Sequence, residues 1–162
     1  MNPAVEAFWQ RYLGTLAAGH AHRNVRPDAF AFGDSPALAD ELAALVAAGR
    51  KRATASLPAE FTAEGQPLPV AGDVSIVMRG DGSPLAVIEF VEVRQIPFQF
   101  VDAAFAADEG EGDGSLAYWR LAHREYFSRV CARFGGIFDE TTSVICQRFQ
   151  LLWSDDPAGS PG

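Results

Sequence analysis

The sequence predicts an α+β domain with three main helices and several antiparallel strands. Three observations carry that expectation. Apolar residues recur at helical spacing in three separate stretches, two β-branched runs flank a Gly-Asp-Gly turn, and one further alternating run closes the chain. At 162 residues the chain is one domain by size, and 48% hydrophobic with 21% charged residues is ordinary globular composition. No stretch approaches the roughly 20 continuous apolar residues that a membrane helix needs.

The first helix is read from Val5, Phe8, Trp9, Tyr12, Leu13 and Leu16, closed by Ala17-Ala18-Gly19. Residues 20–34 read as a connector. Ser35 as N-cap and Pro36 at the first helical position start the second helix, whose stripe is Leu38, Leu42, Leu45 and Val46 and whose left-handed terminator is Gly49. Pro58, Gly65, Pro67 and Pro69 make 57–70 a long loop. Val74–Met78 and Leu85–Arg94, joined through Gly80-Asp81-Gly82, read as a hairpin in which Glu89 falls on the apolar face. A carboxylate there is at a strand end, paired, or in a pocket. One or two helical turns are expected over 101–107, then an acidic loop at 108–113. Ser115 or Asp113 caps a third helix with Leu116, Trp119, His123, Tyr126, Phe127, Val130 and Phe134 inward. Val144–Trp153 is the closing strand, and a disordered tail is expected from Ser154.

A net charge of -8 argues against a surface that grips nucleic acid throughout. The charge is nevertheless segregated. Residues 102–113 hold five acids and no base, whereas 115–134 hold Arg120, Arg124, Arg129 and Arg133 against Glu125 alone, and His20, His22, Arg23 and Arg26 form a second basic patch. A solvated helix face explains the arginines by spacing, and a local anionic ligand is the alternative. Cys131 and Cys146 have no metal-clip spacing and read as buried thiols. The N-terminal residues lack the basic start and apolar core of a secretory signal, which points to the cytoplasm. Walker loops, dinucleotide fingerprints, CxxC pairs and HExxH are all missing, so no cofactor is expected and the acidic run is not read as a metal site.

Chemistry concentrates at Gly49-Arg50-Lys51-Arg52-Ala53-Thr54. Lys51 is the only lysine among 13 basic side chains. Arginine holds its proton, whereas a lysine crowded by like charge has its pKa lowered and can serve as a base. Thr54 is a hydroxyl such a base could activate, provided the segment after Gly49 turns so that the two side chains converge. Glu109 stands out as a carboxylate that could orient or protonate groups in a site containing Lys51. The plain reading is a solvated charge run just past a helix C-terminus. His123, on the inward stripe, reads as a satisfied core histidine.

Phe30-Ala31-Phe32-Gly33-Asp34-Ser35, Gly49-Arg50-Lys51-Arg52-Ala53-Thr54-Ala55-Ser56-Leu57, Gly72-Asp73, Glu109-Gly110-Glu111-Gly112-Asp113 with Ser115 to Arg120, and Cys146-Gln147-Arg148-Phe149 resemble the ASCH domain family over about residues 30–153. The resemblance implies a PUA-like antiparallel β-barrel with flanking helices, preceded by an N-terminal helix and connector (1–29) and followed by the tail (154–162). It implies a cleft for RNA, a nucleotide or a modified nucleoside. Lys51, Thr54 and Glu109 match the catalytic set of N4-acylcytidine amidohydrolases, while other relatives are ribonucleases. Arg52, Ser56, Trp119 and Arg120 are the substrate-binding candidates. Three functions follow as expectations: cleavage of single-stranded RNA, placed first, amide hydrolysis through Thr54, and RNA binding without catalysis, with Trp119 stacking a base.

Overall fold

The computed structural model describes residues 2–155. The helices are α1 (Pro3–Leu13), α2 (Pro36–Ala47), α3 (Pro58–Ala63), α4 (Ala103–Glu109) and α5 (Leu116–Arg133), and the strands are β1 (Asp28–Phe30), β2 (Ala53–Ser56), β3 (Val74–Met78), β4 (Pro84–Pro97) and β5 (Ser143–Ser154). The strands form one sheet in the order β1-β3-β4-β5-β2. The barrel expected from the resemblance is not formed. β1 runs parallel to β3, so the sheet is mixed, and its two edges are strands of three and four residues. Closing a barrel requires edge strands that pair along their length with a fixed stagger, and edges this short have too few ladder positions to do so. None of the helices among the described residues is long and apolar enough to cross a membrane.

The residues fall into two compact units interleaved in sequence, and β4 and β5 contribute to both. The first unit comprises the chain up to Gly49, Gly72–Glu89, and the chain from Gln150 onward. In it α1 starts where the Asn2 side chain accepts from the Val5 N–H at 2.8 Å and Pro3 occupies the first turn. Its buried face, Val5, Phe8, Trp9, Tyr12 and Leu13, packs on Val74, Ile76 and Val87. The helix ends at Leu13, short of Leu16, and the Arg23 guanidinium donates to the Leu13, Leu16 and Ala17 carbonyls at 2.8–2.9 Å. One member of the basic patch is thereby a helix cap.

The 20–34 connector contains a strand that local pattern does not show. Asp28, Ala29 and Phe30 pair with Ser75, Ile76 and Val77, and three residues carry no periodicity to read. Glu89 is paired: Gln150 Nε2 donates to it at 2.9 Å, and the His22 ring lies 3.8 Å away, its other nitrogen 2.8 Å from the Tyr12 hydroxyl. α2 begins and ends as expected, with Ser35 accepting from the Leu38 N–H and Gly49 at φ 77°. Its most buried residues are Ala39, Leu42, Ala43, Val46 and Ala47, with Leu38 and Leu45 half-buried. The expected hairpin is present, with Val74 opposite Glu89 and Val77 opposite Ala86.

In the second unit, residues 50–71 and 90–149, β2 pairs antiparallel with β5, Ala53 opposite Arg148 and Thr54 opposite Gln147. The expected loop after Leu57 holds α3. Pro58 opens it, and the Glu60 carboxylate both accepts from the Leu57 N–H and receives the Tyr126 hydroxyl, each at 2.8 Å. Asp102 caps α4 and Ser115 caps α5. Phe98, Phe105, Trp119, Phe127, Val130, Val144 and Cys146 form this unit's core, while Phe134, just past α5, is exposed. Burial pushes the Cys146 thiol up to about 12, in line with an inert core cysteine. The disorder expected from Ser154 falls largely on 156–162, outside the described residues; Ser154 itself closes β5.

Phe8 has no exposed surface and its ring centroid lies 5.1 Å from that of Trp153. Phe8→Ala is expected to cost about 3–5 kcal/mol, the usual penalty for emptying a packed aromatic site. Urea denaturation measures it, and a loss under about 1 kcal/mol would mean that α1 is not part of the cooperative core.

Candidate functional site

Residues 50–52 form the link into β2, and backbone bonds hold it from both sides. The Arg52 N–H donates to the Asp108 carbonyl at the end of α4 (2.7 Å), and the Arg52 carbonyl accepts from the Phe149 N–H (2.9 Å). Gly110, at φ 67°, lets the chain leaving α4 approach this link. A Cβ there would stand 2.3 Å from the Arg50 carbonyl oxygen, so no other residue fits without displacing backbone.

The clamp buries Lys51. Its ammonium donates to Glu109 Oε1 at 2.9 Å, to Glu111 Oε2 at 2.7 Å and to the Ala53 carbonyl at 2.8 Å. Side-chain exposure is 1% for Lys51 and Glu109 and 20% for Glu111. Glu109's second oxygen receives the Trp119 indole N–H and lies 3.2 Å from His123 Nε2, while His123 Nδ1 meets the Trp119 carbonyl at 2.9 Å. Helical spacing explains the last pairing: residues 119 and 123 are one turn apart, and their rings stack with centroids 4.2 Å apart and planes at 15°.

The charge states follow from these contacts. Burial pushes Lys51 toward its neutral form, but Glu109 and Glu111 outweigh it and its pKa is raised. Burial likewise opposes ionised Glu109, yet the ammonium and then His123 hold its carboxyl well below the ordinary range. Glu111 is raised, by burial first and then by the neighbouring Glu109 charge, against the pull of Lys51. His123 is raised because Glu109 overcomes the effect of burial. The expectation that like charge lowers the Lys51 pKa is therefore overturned: its near neighbours are carboxylates, and it is a fixed cation.

Of the residues singled out from sequence, Lys51, Glu109 and Trp119 meet in this cluster. Trp119 is not available to stack a base, because His123 covers one side and Phe98 stacks on it with centroids 5.3 Å apart, leaving 2% of the residue exposed. Thr54 and Ser56 lie on β2, half-buried, while the ammonium donates to Glu109, Glu111 and the Ala53 carbonyl. Arg52 is exposed and pairs with Asp108 at 3.2 Å, which also receives Arg148 at 2.8 Å; Arg120 reaches the Gln99 carbonyl at 3.5 Å. Glu111 and His123 are members that sequence reasoning passed over. The usable signal was the lone lysine, since one buried cation calls for more than one acceptor. Glu109, Glu111 and His123 present ligand atoms all within 4.8 Å of one another, a set that could hold a metal ion, although two of them already hold the ammonium.

Comparison with known families decides the kinship. The family model described as ASCH domain matches residues 28–153. The chain belongs to the ASCH domain family. The crystal structure of an ASCH domain from Lactobacillus crispatus JV V101 is similar with TM-score 0.86 and 32% identity, covering 93% of this chain and 95% of that one. A protein from Enterococcus faecalis V583 is similar with TM-score 0.80 and 33% identity, covering 94% and 90%. None of the curated proteins matches. ASCH domains are in general RNA-binding.

Two outcomes test the electrostatics of this ASCH site. Lys51→Met strands a buried carboxylate and is expected to cost about 3–5 kcal/mol in urea denaturation. Adding Glu109→Gln to it should restore part of the loss, and strict additivity would refute the pairing. The second outcome is a pH dependence. His123, with a raised folded pKa, contributes stability that is complete below the unfolded histidine value of 6.5 and is lost as pH rises through the folded value. Denaturation midpoints should fall across that window in wild type and flatten in His123→Gln; a rise would reverse the sign and the argument.

Proposed function

We propose that this ASCH domain binds single-stranded RNA and cleaves it, with the Lys51–Glu109–Glu111–His123 cluster as its acid–base centre. One observation carries the reading: a buried ammonium sits in contact with two carboxylates, and the more exposed of them, Glu111, has a raised pKa. A carboxyl tuned upward beside a histidine also tuned upward is a pair suited to moving protons in both directions. In its basic form Glu111 takes the proton of a ribose 2′-hydroxyl. That oxygen attacks the adjacent phosphorus, the bond to the 5′-oxygen breaks, and the leaving oxygen takes a proton from the His123 imidazolium. The products are a 2′,3′-cyclic phosphate and a 5′-hydroxyl. Lys51 acts from behind, fixing the carboxylates. Arg52, exposed at the same link, and Arg120 offset charge on the phosphate oxygens, and Thr54 and Ser56 on β2 position it. Action on cytoplasmic RNA suits such an enzyme.

A second reading is amide hydrolysis of an N4-acylcytidine by Thr54, supported by the hydrogen bond that ties the ammonium to Ala53, the residue before Thr54. It requires Lys51 to accept a proton, and a lysine held charged by two carboxylates must first lose one. RNA cleavage therefore stands ahead.

The deciding experiment incubates wild type, Lys51→Ala, Lys51→Arg, Thr54→Ala and Glu111→Gln with labelled single-stranded RNA and with N4-acetylcytidine, with and without chelator. The expected result is cyclic-phosphate fragments from RNA, abolished in Lys51→Ala and slowed about 100-fold or more in Glu111→Gln, as for loss of a general base. Thr54-dependent release of acetate would establish the amidohydrolase instead. A Lys51-dependent gel shift with no turnover would make the domain a reader of RNA. Cleavage lost to chelator would transfer the role of the cluster to a metal ion on Glu109, Glu111 and His123.

A further inference from the structure

The buried Trp119 leaves open which side chain receives a base, and its neighbour answers. Successive residues of an α-helix project about 100° apart, so when Trp119 turns into the core Tyr118 turns out. Tyr118, in the first turn of α5, keeps 42% of its surface exposed. Its ring is nevertheless not loose. A Cβ on Gly112 would fall 2.5 Å from ring atoms Cε1 and Cζ, so the Gly112 backbone packs directly on the tyrosine. Gly112 follows Glu111, the most exposed carboxylate of the cluster. Leu121, three residues on and 68% exposed, shares the Tyr118 face of α5.

We propose that Tyr118 is a nucleobase-stacking platform beside Glu111, extended by Leu121, and that it seats a base of the bound strand. This rests on the RNA reading of the site and names the group that the site recognises. A ring braced by backbone on one side stacks a base at little cost in ordering, and aromatic stacking is indifferent to sequence because every base has a π-face. Tyr118 and Leu121 are two exposed side chains one turn apart on α5. Two side chains fall far short of the roughly 1,000 Å² that a specific protein interface buries. A base can come from an RNA strand or from a free nucleoside, and the arms of the test separate the two.

The experiment titrates wild type, Tyr118→Phe, Tyr118→Leu and Tyr118→Ala with a single-stranded 2′-O-methyl oligoribonucleotide, which lacks the reacting hydroxyl and carries one 2-aminopurine, and separately with N4-acetylcytidine. Urea midpoints confirm that each variant is folded. Wild type and Tyr118→Phe should bind within about twofold of each other and quench the 2-aminopurine, whereas Leu and Ala should weaken binding about tenfold and relieve the quenching, as loss of one base stack does. RNA binding and quenching unchanged in Tyr118→Ala would overturn the platform while leaving the RNA reading intact. Tyr118-dependent binding of the nucleoside alone would keep the platform and overturn the RNA reading. Binding of neither ligand by wild type would overturn both.

Discussion

The second unit is arranged around one buried cation. A lysine ammonium at 1% exposure has lost its water, and the structure keeps it charged only by surrounding it with acceptors: two carboxylates and a backbone carbonyl within 2.9 Å. Each acceptor brings a constraint of its own. Glu109 ends α4, so α4 must stop against the 50–52 link; Gly110 must lack a side chain; Glu111 must fold back toward the lysine. Because Glu109 is buried as well, its second oxygen needs donors, and the Trp119 indole and His123 supply them from one stripe of α5. A single ammonium thus sets the end of one helix, the shape of a turn and the inward face of another helix.

Such an arrangement is poor economy for stability alone. Replacing a buried ion cluster by apolar side chains is often neutral or stabilising, so stability alone does not account for five polar or amphipathic side chains in one place, which agrees with the acid–base role proposed above. The cluster is also graded in exposure, from Lys51 and Glu109 at 1% through His123 at 12% to Glu111 at 20%. Charge is fixed at the inner end, and the two groups with raised pKa stand at the more exposed end, as the proposed proton transfer requires. The arginines around it are themselves held by acids: exposed Arg52 and half-buried Arg148 share Asp108, and Arg148 also meets Glu92. That neutralised rim agrees with the net charge of -8 and with the proposal of a short, single-stranded ligand rather than a long duplex.

Features with local causes were legible in the sequence, and those with distant causes were not. Ser35-Pro36 and Gly49 bracket α2 because caps act within one turn, and Gly80-Asp81-Gly82 marks the hairpin for the same reason. β1 has no such mark: Asp28–Phe30 is a strand only because β3 lies beside it. α3 was masked by its prolines, although Pro58 followed by Glu60 is a helix start once the glutamate is allowed to reach back to Leu57. At the site, Lys51 and Glu109 could be named from an odd lysine and a conspicuous acid. The sign of the Lys51 shift could not, because sequence neighbours Arg50 and Arg52 suggest like charge whereas the spatial neighbours, 58 and 60 residues away, are carboxylates.

The open sheet bears on the same point. β2 is an edge strand, paired on one side with β5, and it begins two residues after Lys51. A strand inside a closed barrel has neighbours on both sides and a ladder that claims its backbone groups. At an open edge the link before the strand can instead bond to something else, and here the Arg52 N–H goes to the last turn of α4 while the Arg52 carbonyl goes to β5. That exchange draws Glu109 to Lys51. The sheet edge next to the buried ion cluster is thus a strand four residues long, and the end of α4 bonds to the link that precedes it.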